Sequence, residues 1–102
     1  MNIYQYTNIK LVKLFKSLSD ETRLRIIRVL SRGTFHVNEI LFILNHKQSN
    51  ISHHLKILHE AGLIACRKEG QFVYSEAVPA TIAAYSEALA KMAHGKRARS
   101  RR

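Results

Sequence analysis

Apolar side chains recur at helical spacing up to Gly62, and after it the spacing changes to that of strands. In "NIKLVKLFKSL", Ile9, Val12, Leu14 and Phe15 make one apolar side, which predicts a first helix over Asn8 to Leu18. "SLSDETRLRIIRVLSRG" predicts a second. Leu24, Ile27 and Leu30 recur at helical spacing, Ser19 or Asp20 suits the N-cap, and Asp20 and Glu21 put negative charge at the positive end of the helix dipole. Gly33 ends it. "VNEILFIL" predicts a short third helix, with Ile40, Leu41, Ile43 and Leu44 apolar. Asn45 follows it and tolerates the left-handed conformation of a helix end. "QSNISHHLKILHEAGLI" predicts a fourth, closed by Gly62. Ile51, Leu55 and Leu58 fall on one side of it; Ser49, Ser52, His53 and Lys56 fall on or near the other.

Beyond Gly62, Leu63–Arg67 and Phe72–Ala77 flank "KEGQ". Ile64, Val73 and Tyr74 suit strands and Glu69-Gly70 suits a tight turn, so a two-stranded hairpin is expected. Such a hairpin is marginal alone and must pack on the helices. Pro79 opens a last helix reaching about His94, with Ile82, Tyr85, Leu89 and Met92 on one stripe. The predicted fold class is mostly α with a small β-hairpin, in the order ααααββα. Two helices joined by the short turn Asn45 to Lys47, followed by a basic hairpin, have the layout of a winged helix-turn-helix. Length allows one domain, expected over residues 1–94, with 95–102 as a basic flexible tail.

Charge then narrows the choice of partner. The chain carries a net +10, and Lys91 to Arg102 hold six basic residues and no acid. The preceding ninety residues are also basic, eleven Lys and Arg against seven Asp and Glu. Double-stranded DNA is the first partner to expect and a membrane surface the second; the tail read by itself is equally well a solubilising end. No apolar run approaches the ~20 residues of a bilayer span. "MNIYQYTNIK" does not have the pattern of a secretory signal, so no membrane partner is expected. Cys66 is the single cysteine, which excludes a disulfide within the chain and fits a reducing cytoplasm.

The polar face of the fourth helix is where base reading is expected. Gln48, Ser49 and Asn50 stand at its start, where a recognition helix reaches base edges; Gln and Asn can bond adenine bidentately. Ser52, His53 and Lys56 lie further along, Lys56 as a phosphate contact. Arg67, Lys68 and Gln71 stand at the turn of the hairpin. His54 falls nearer the core side than His53. For any one of these residues a solvated surface position explains as much; the argument rests on the whole face.

Taken together, "LFKSLSDETRLRIIRVL", "QSNISHHLKILHEAGLI" and "RKEGQFVYSEA" resemble the ArsR/SmtB family of bacterial repressors over about Leu14 to Ala77. The resemblance implies a homodimer that binds an inverted-repeat operator and releases it when a signal arrives. It implies the fourth helix in the major groove, the hairpin as wing, and pairing through the first and last helices. Ile9, Val12, Ile82, Tyr85, Leu89 and Met92 are the expected interface, with Tyr4 and Tyr6 able to complete it.

The signal is less legible. Many members of that family sense thiophilic metals through "C-V-C" early in the third helix. Here "TFHVNEI" puts His36 and Asn38 at those positions, and Asn is a poor ligand for zinc or arsenite. A second family site uses an Asp and several His on the last helix, and Pro79 to His94 contain no Asp and one His. No metal or other cofactor is therefore expected, with His36 as the first ligand to suspect if one is found. A small-molecule effector, or none, is the expectation. The alternative is a DNA-binding module without its own sensor, nucleoid-type or controlled by a protein partner. An enzyme is not expected: the sequence shows no nucleophile–base pair, phosphate-binding glycine loop or paired carboxylates.

Overall fold

A computed structural model describes residues 8–45 and 50–93. The elements are α1 (Asn8–Leu18), α2 (Glu21–Leu30), β1 (Phe35–His36), α3 (Val37–Leu44), α4 (Ile51–Glu60), β2 (Ile64–Glu69), β3 (Phe72–Ala77) and α5 (Pro79–Ala93). The expected helix and hairpin order is present, as a winged helix. One element was not expected. β1 pairs antiparallel with β3, Phe35 opposite Ser75 and His36 opposite Tyr74, so the hairpin is the larger part of a three-stranded sheet of order β1-β3-β2. This answers the packing problem of an isolated hairpin, because β1 ties it to the start of α3.

Local chemistry sets the element ends. Asp20, not Ser19, caps α2: its carboxylate accepts from the Arg23 backbone N–H at 3.1 Å. That N–H bond holds the Asp20 carboxyl below its ordinary pKa of 3.8, with the positive charge of Arg23 acting the same way. Glu39 accepts from the backbone N–H of His36 at 3.0 Å at the start of α3. Asn45 ends α3 at φ 52°, the left-handed cap that its short amide side chain tolerates. Gly70 turns the hairpin at φ 63°, and β2 runs two residues further than expected, to Glu69.

The core lies where α2, α3, α4 and the sheet meet. Ile26, Ile40, Ile51, Leu58 and Leu63 are its fully buried residues, joined by Leu14, Leu30, Leu44, Leu55 and Ile64. Two helices turn differently from their sequence reading. On α2 the core is reached by Ile26 and Leu30, while Leu24 is exposed; on α1 Leu11, Leu14 and Ser17 are buried, and Ile9, Val12 and Phe15 face outward. α5 is the least embedded helix, with Ala88 its one buried residue.

Candidate nucleic-acid interface

α4 has the two unlike faces the sequence implies. Ile51, Leu55 and Leu58 are buried at i, i+4, i+7 spacing, and burying those three side chains fixes the rotation of the helix about its axis. Ser52, His53 and Lys56 are consequently exposed, and Asn50 is exposed at the N-cap. Gln48 and Ser49 lie outside the described residues. Among the described residues, no side chain of Ser52, His53 or Lys56 enters a hydrogen bond or ion pair. A polar row held rigidly from behind and uncommitted in front can bond another molecule without first breaking bonds of its own.

His54, its neighbour, is used differently. Its side chain is 12% exposed, and Nδ1 lies 3.1 Å from Nη1 of Arg23. A guanidinium only donates, so Nδ1 accepts and the ring proton sits on Nε2. Asp20 Oδ2 at 3.9 Å from the same nitrogen is beyond hydrogen-bond reach. Arg23 also donates to the carbonyls of Ser17 and Lys16. The cap of α2, the end of α1 and the middle of α4 are thereby joined through one guanidinium. Sequence reasoning placed His54 on the inner side but did not identify this partner; the signal was Arg23 in "SDETR", a long donor beside a helix cap.

The wing is partitioned by the pleat. Register pairs Arg67 with Tyr74, Lys68 with Val73 and Glu69 with Phe72. Successive side chains alternate between faces, so Arg67 and Lys68 leave on opposite sides. Arg67 shares its face with acids: Nε lies 2.7 Å from Glu69 and Nη1 lies 3.3 Å from Glu76, with the guanidinium 5.9 Å from the Tyr74 ring centre. The hydrogen bond and charge of Glu69 raise the Arg67 pKa. Glu76 is itself held by the Thr34 hydroxyl at 2.9 Å. Lys68 and Gln71 are exposed, and Lys68 enters no ion pair among the described residues.

The other two groups of sequence-selected residues divide. Ile9, Val12, Leu89 and Met92 are exposed, whereas Ile82 and Tyr85 are half-buried and pack against this chain's own core. Tyr4 and Tyr6 lie outside the described residues. His36 stacks near Phe72 and edge-on to Tyr74, at 5.0 and 5.6 Å between ring centres. With Asn38 it lines a cleft of about 310 Å³ shared with Phe35, Glu39, Phe42 and Ile43. Among the described residues no cluster of three or more His, Cys, Asp or Glu is placed to hold a metal ion. Cys66, on β2, lies 3.5 Å from the Ser75 hydroxyl. No helix of the described residues is long and apolar enough to cross a membrane.

Residues 20–65 match the family model described as bacterial regulatory protein, arsR family. The arsenical resistance operon repressor of Escherichia coli K12 is 42% identical over 69 residues, 67% of this chain and 59% of that protein, so the match spans less than two thirds of the relative. The transcriptional repressor SdpR of Bacillus subtilis is 39% identical over 61 residues, 60% of this chain and 68% of that protein. Among solved structures, an ArsR-like transcriptional regulator from a Rhodococcus species superimposes with a TM-score of 0.79 at 27% identity, covering 84% of this chain and 81% of that one.

Proposed function

Since the chain belongs to the arsR family of bacterial regulatory proteins, we propose that it is a homodimeric, sequence-specific DNA-binding transcriptional repressor. α4 is its reading helix. The observation that carries the reading is the uncommitted row Ser52, His53 and Lys56 on a helix locked by Ile51, Leu55 and Leu58. Asn50, Ser52 and His53 are assigned to base edges, with Gln48 and Ser49 joining them from the sequence pattern. Lys56, Lys68 and Gln71 are assigned to the phosphate backbone. Arg67 is a weaker phosphate contact, since Glu69 and Glu76 already neutralise it.

Two copies are needed to read an inverted repeat, because one α4 covers one half-site. Half-sites about 34–36 Å apart require the copies to be fixed to each other. Ile9, Val12, Leu89 and Met92 supply an exposed apolar surface for that purpose, consistent with α5 being so little embedded in its own chain.

Selection of bound sequences from random DNA tests the reading. An enriched inverted repeat, bound at least ~10³-fold more tightly than bulk DNA, is expected. Recovery of no preferred sequence would remove the repressor assignment. Sedimentation at micromolar concentration tests the pairing: a dimer is expected, and a stable monomer, or a Leu89→Glu variant that pairs normally, contradicts it.

A further inference from the structure

Building on the repressor reading, we propose that the groove between α1, α2 and α4 binds an aliphatic carboxylate, an amphiphilic monoanion, as the effector. The groove is open to solvent along one side and has a volume of about 510 Å³, within the ~300–1,000 Å³ of small-molecule sites. Its apolar wall is Ile9, Val12 and Ile57, branched aliphatic residues without an aromatic platform, which suits a flexible hydrocarbon rather than a flat ring. Lys13 and Lys16 stand one helical turn apart on its α1 side, and neither is in an ion pair among the described residues. Their methylene stems extend the apolar wall while their ammonium groups remain at the rim. Arg23 adds a third positive charge, fixed in place by its bonds to Ser17, Lys16 and His54. Glu60 is the single acid lining the groove, and it belongs to α4. An anionic head is therefore drawn toward α1, with its tail along Ile57.

The position of the groove gives such a ligand leverage on DNA. Ile57 lies one turn after His53 on the reading helix, while Ile9 and Val12 belong to the face assigned to pairing. A molecule seated there touches the helix that reads bases and the helix that fixes the two copies. It acts to the extent that it prefers one separation of the two α4 helices over the other.

Calorimetric titration of the full chain with sodium decanoate, below micelle formation and without DNA, tests the site. Decyltrimethylammonium, with the same tail and a cationic head, is the control. Saturable binding of one decanoate per chain is expected, at least about tenfold tighter than the control. The exposed pair Lys13→Glu with Lys16→Glu should weaken decanoate about tenfold, as should Ile57→Trp, which fills the groove; circular dichroism verifies that each variant folds. No binding, equal binding of the cation, or undiminished binding to the lysine variant overturns the site. A second titration, on selected operator DNA, should show affinity falling about tenfold when decanoate is saturating. Decanoate binding without that fall overturns the effector role. Absence of any preferred operator in the ligand-free chain would instead remove the repressor reading and leave the calorimetric result standing.

Discussion

On α4, the outward side chains Ser52, His53 and Lys56 make no bonds among the described residues, and the opposite face is fully buried at Ile51 and Leu58. On the wing, Arg67 is gripped by Glu69 and Glu76, and Glu76 in turn by Thr34. Both regions carry cations, Lys56 on the helix and Arg67 and Lys68 on the wing, but of these three Arg67 alone meets carboxylates among the described residues. A count of positive residues overstates what the wing can offer a phosphate, because each intramolecular carboxylate must be displaced first. On the proposed assignment, availability rather than charge separates the reading surface from the surface that steadies it.

The two faces of α4 are separated most sharply by Leu58→Ala. Leu58 is fully buried, so the cavity should lower unfolding free energy by about 2–5 kcal/mol, read from urea denaturation. Ser52→Ala on the other face should change it by no more than about 0.5 kcal/mol. Equal effects would mean that the polar face also serves the fold.

A smaller loss is expected at the cap beneath α4. Asp20→Ala should cost about 1 kcal/mol at pH 7. The Arg23 backbone N–H holds the Asp20 carboxyl below its ordinary 3.8, so the folded protein favours the ionised form. Its contribution is fully present above 3.8 and is lost as pH falls through the lower folded value. The gap between parent and variant should therefore be flat near neutrality and narrow below 3.8. A gap that widens on acidification contradicts the assignment.

The finest distinction is between single cations. Lys56→Ala should weaken operator and random DNA alike and reduce the salt slope by about 0.9, one phosphate contact. Arg67→Ala should change the slope by less than half of about 0.9. Replacing both Glu69 and Glu76 by Gln frees the guanidinium and should bring the Arg67 contribution up toward that of Lys56. If Arg67→Ala already matches Lys56→Ala, the carboxylates do not restrain it.

Much of the fold is legible in the sequence. The limits of α1 and α3, the left-handed Asn45 and the hairpin turn follow from local rules that act within a few residues. What sequence did not reveal depends on neighbours distant in the chain. β1 is two residues long, too short to show alternation, and exists because β3 supplies its partners. Helical periodicity located an apolar side on α1 and α2 without telling which apolar residues meet the core, so Leu11 and Ile26 were missed and Leu24 was overvalued. α1 is apolar on two sides, one for its own core and one facing out. The restraint on Arg67 needs Glu76, nine residues away and across the hairpin, whose proximity is set by register rather than spacing. The polar face of α4 was legible because burial at Ile51, Leu55 and Leu58 fixes it from within the same helix.

The central claim is that α4 reads bases, and it is tested most directly by Ser52→Ala combined with His53→Ala. Binding to the selected operator and to random DNA would be titrated at two salt concentrations. Operator preference should fall by about 1–3 kcal/mol for each base edge no longer bonded, while random binding and the salt slope change little. A variant that keeps its operator preference, or that loses operator and random binding in equal measure, would contradict the account.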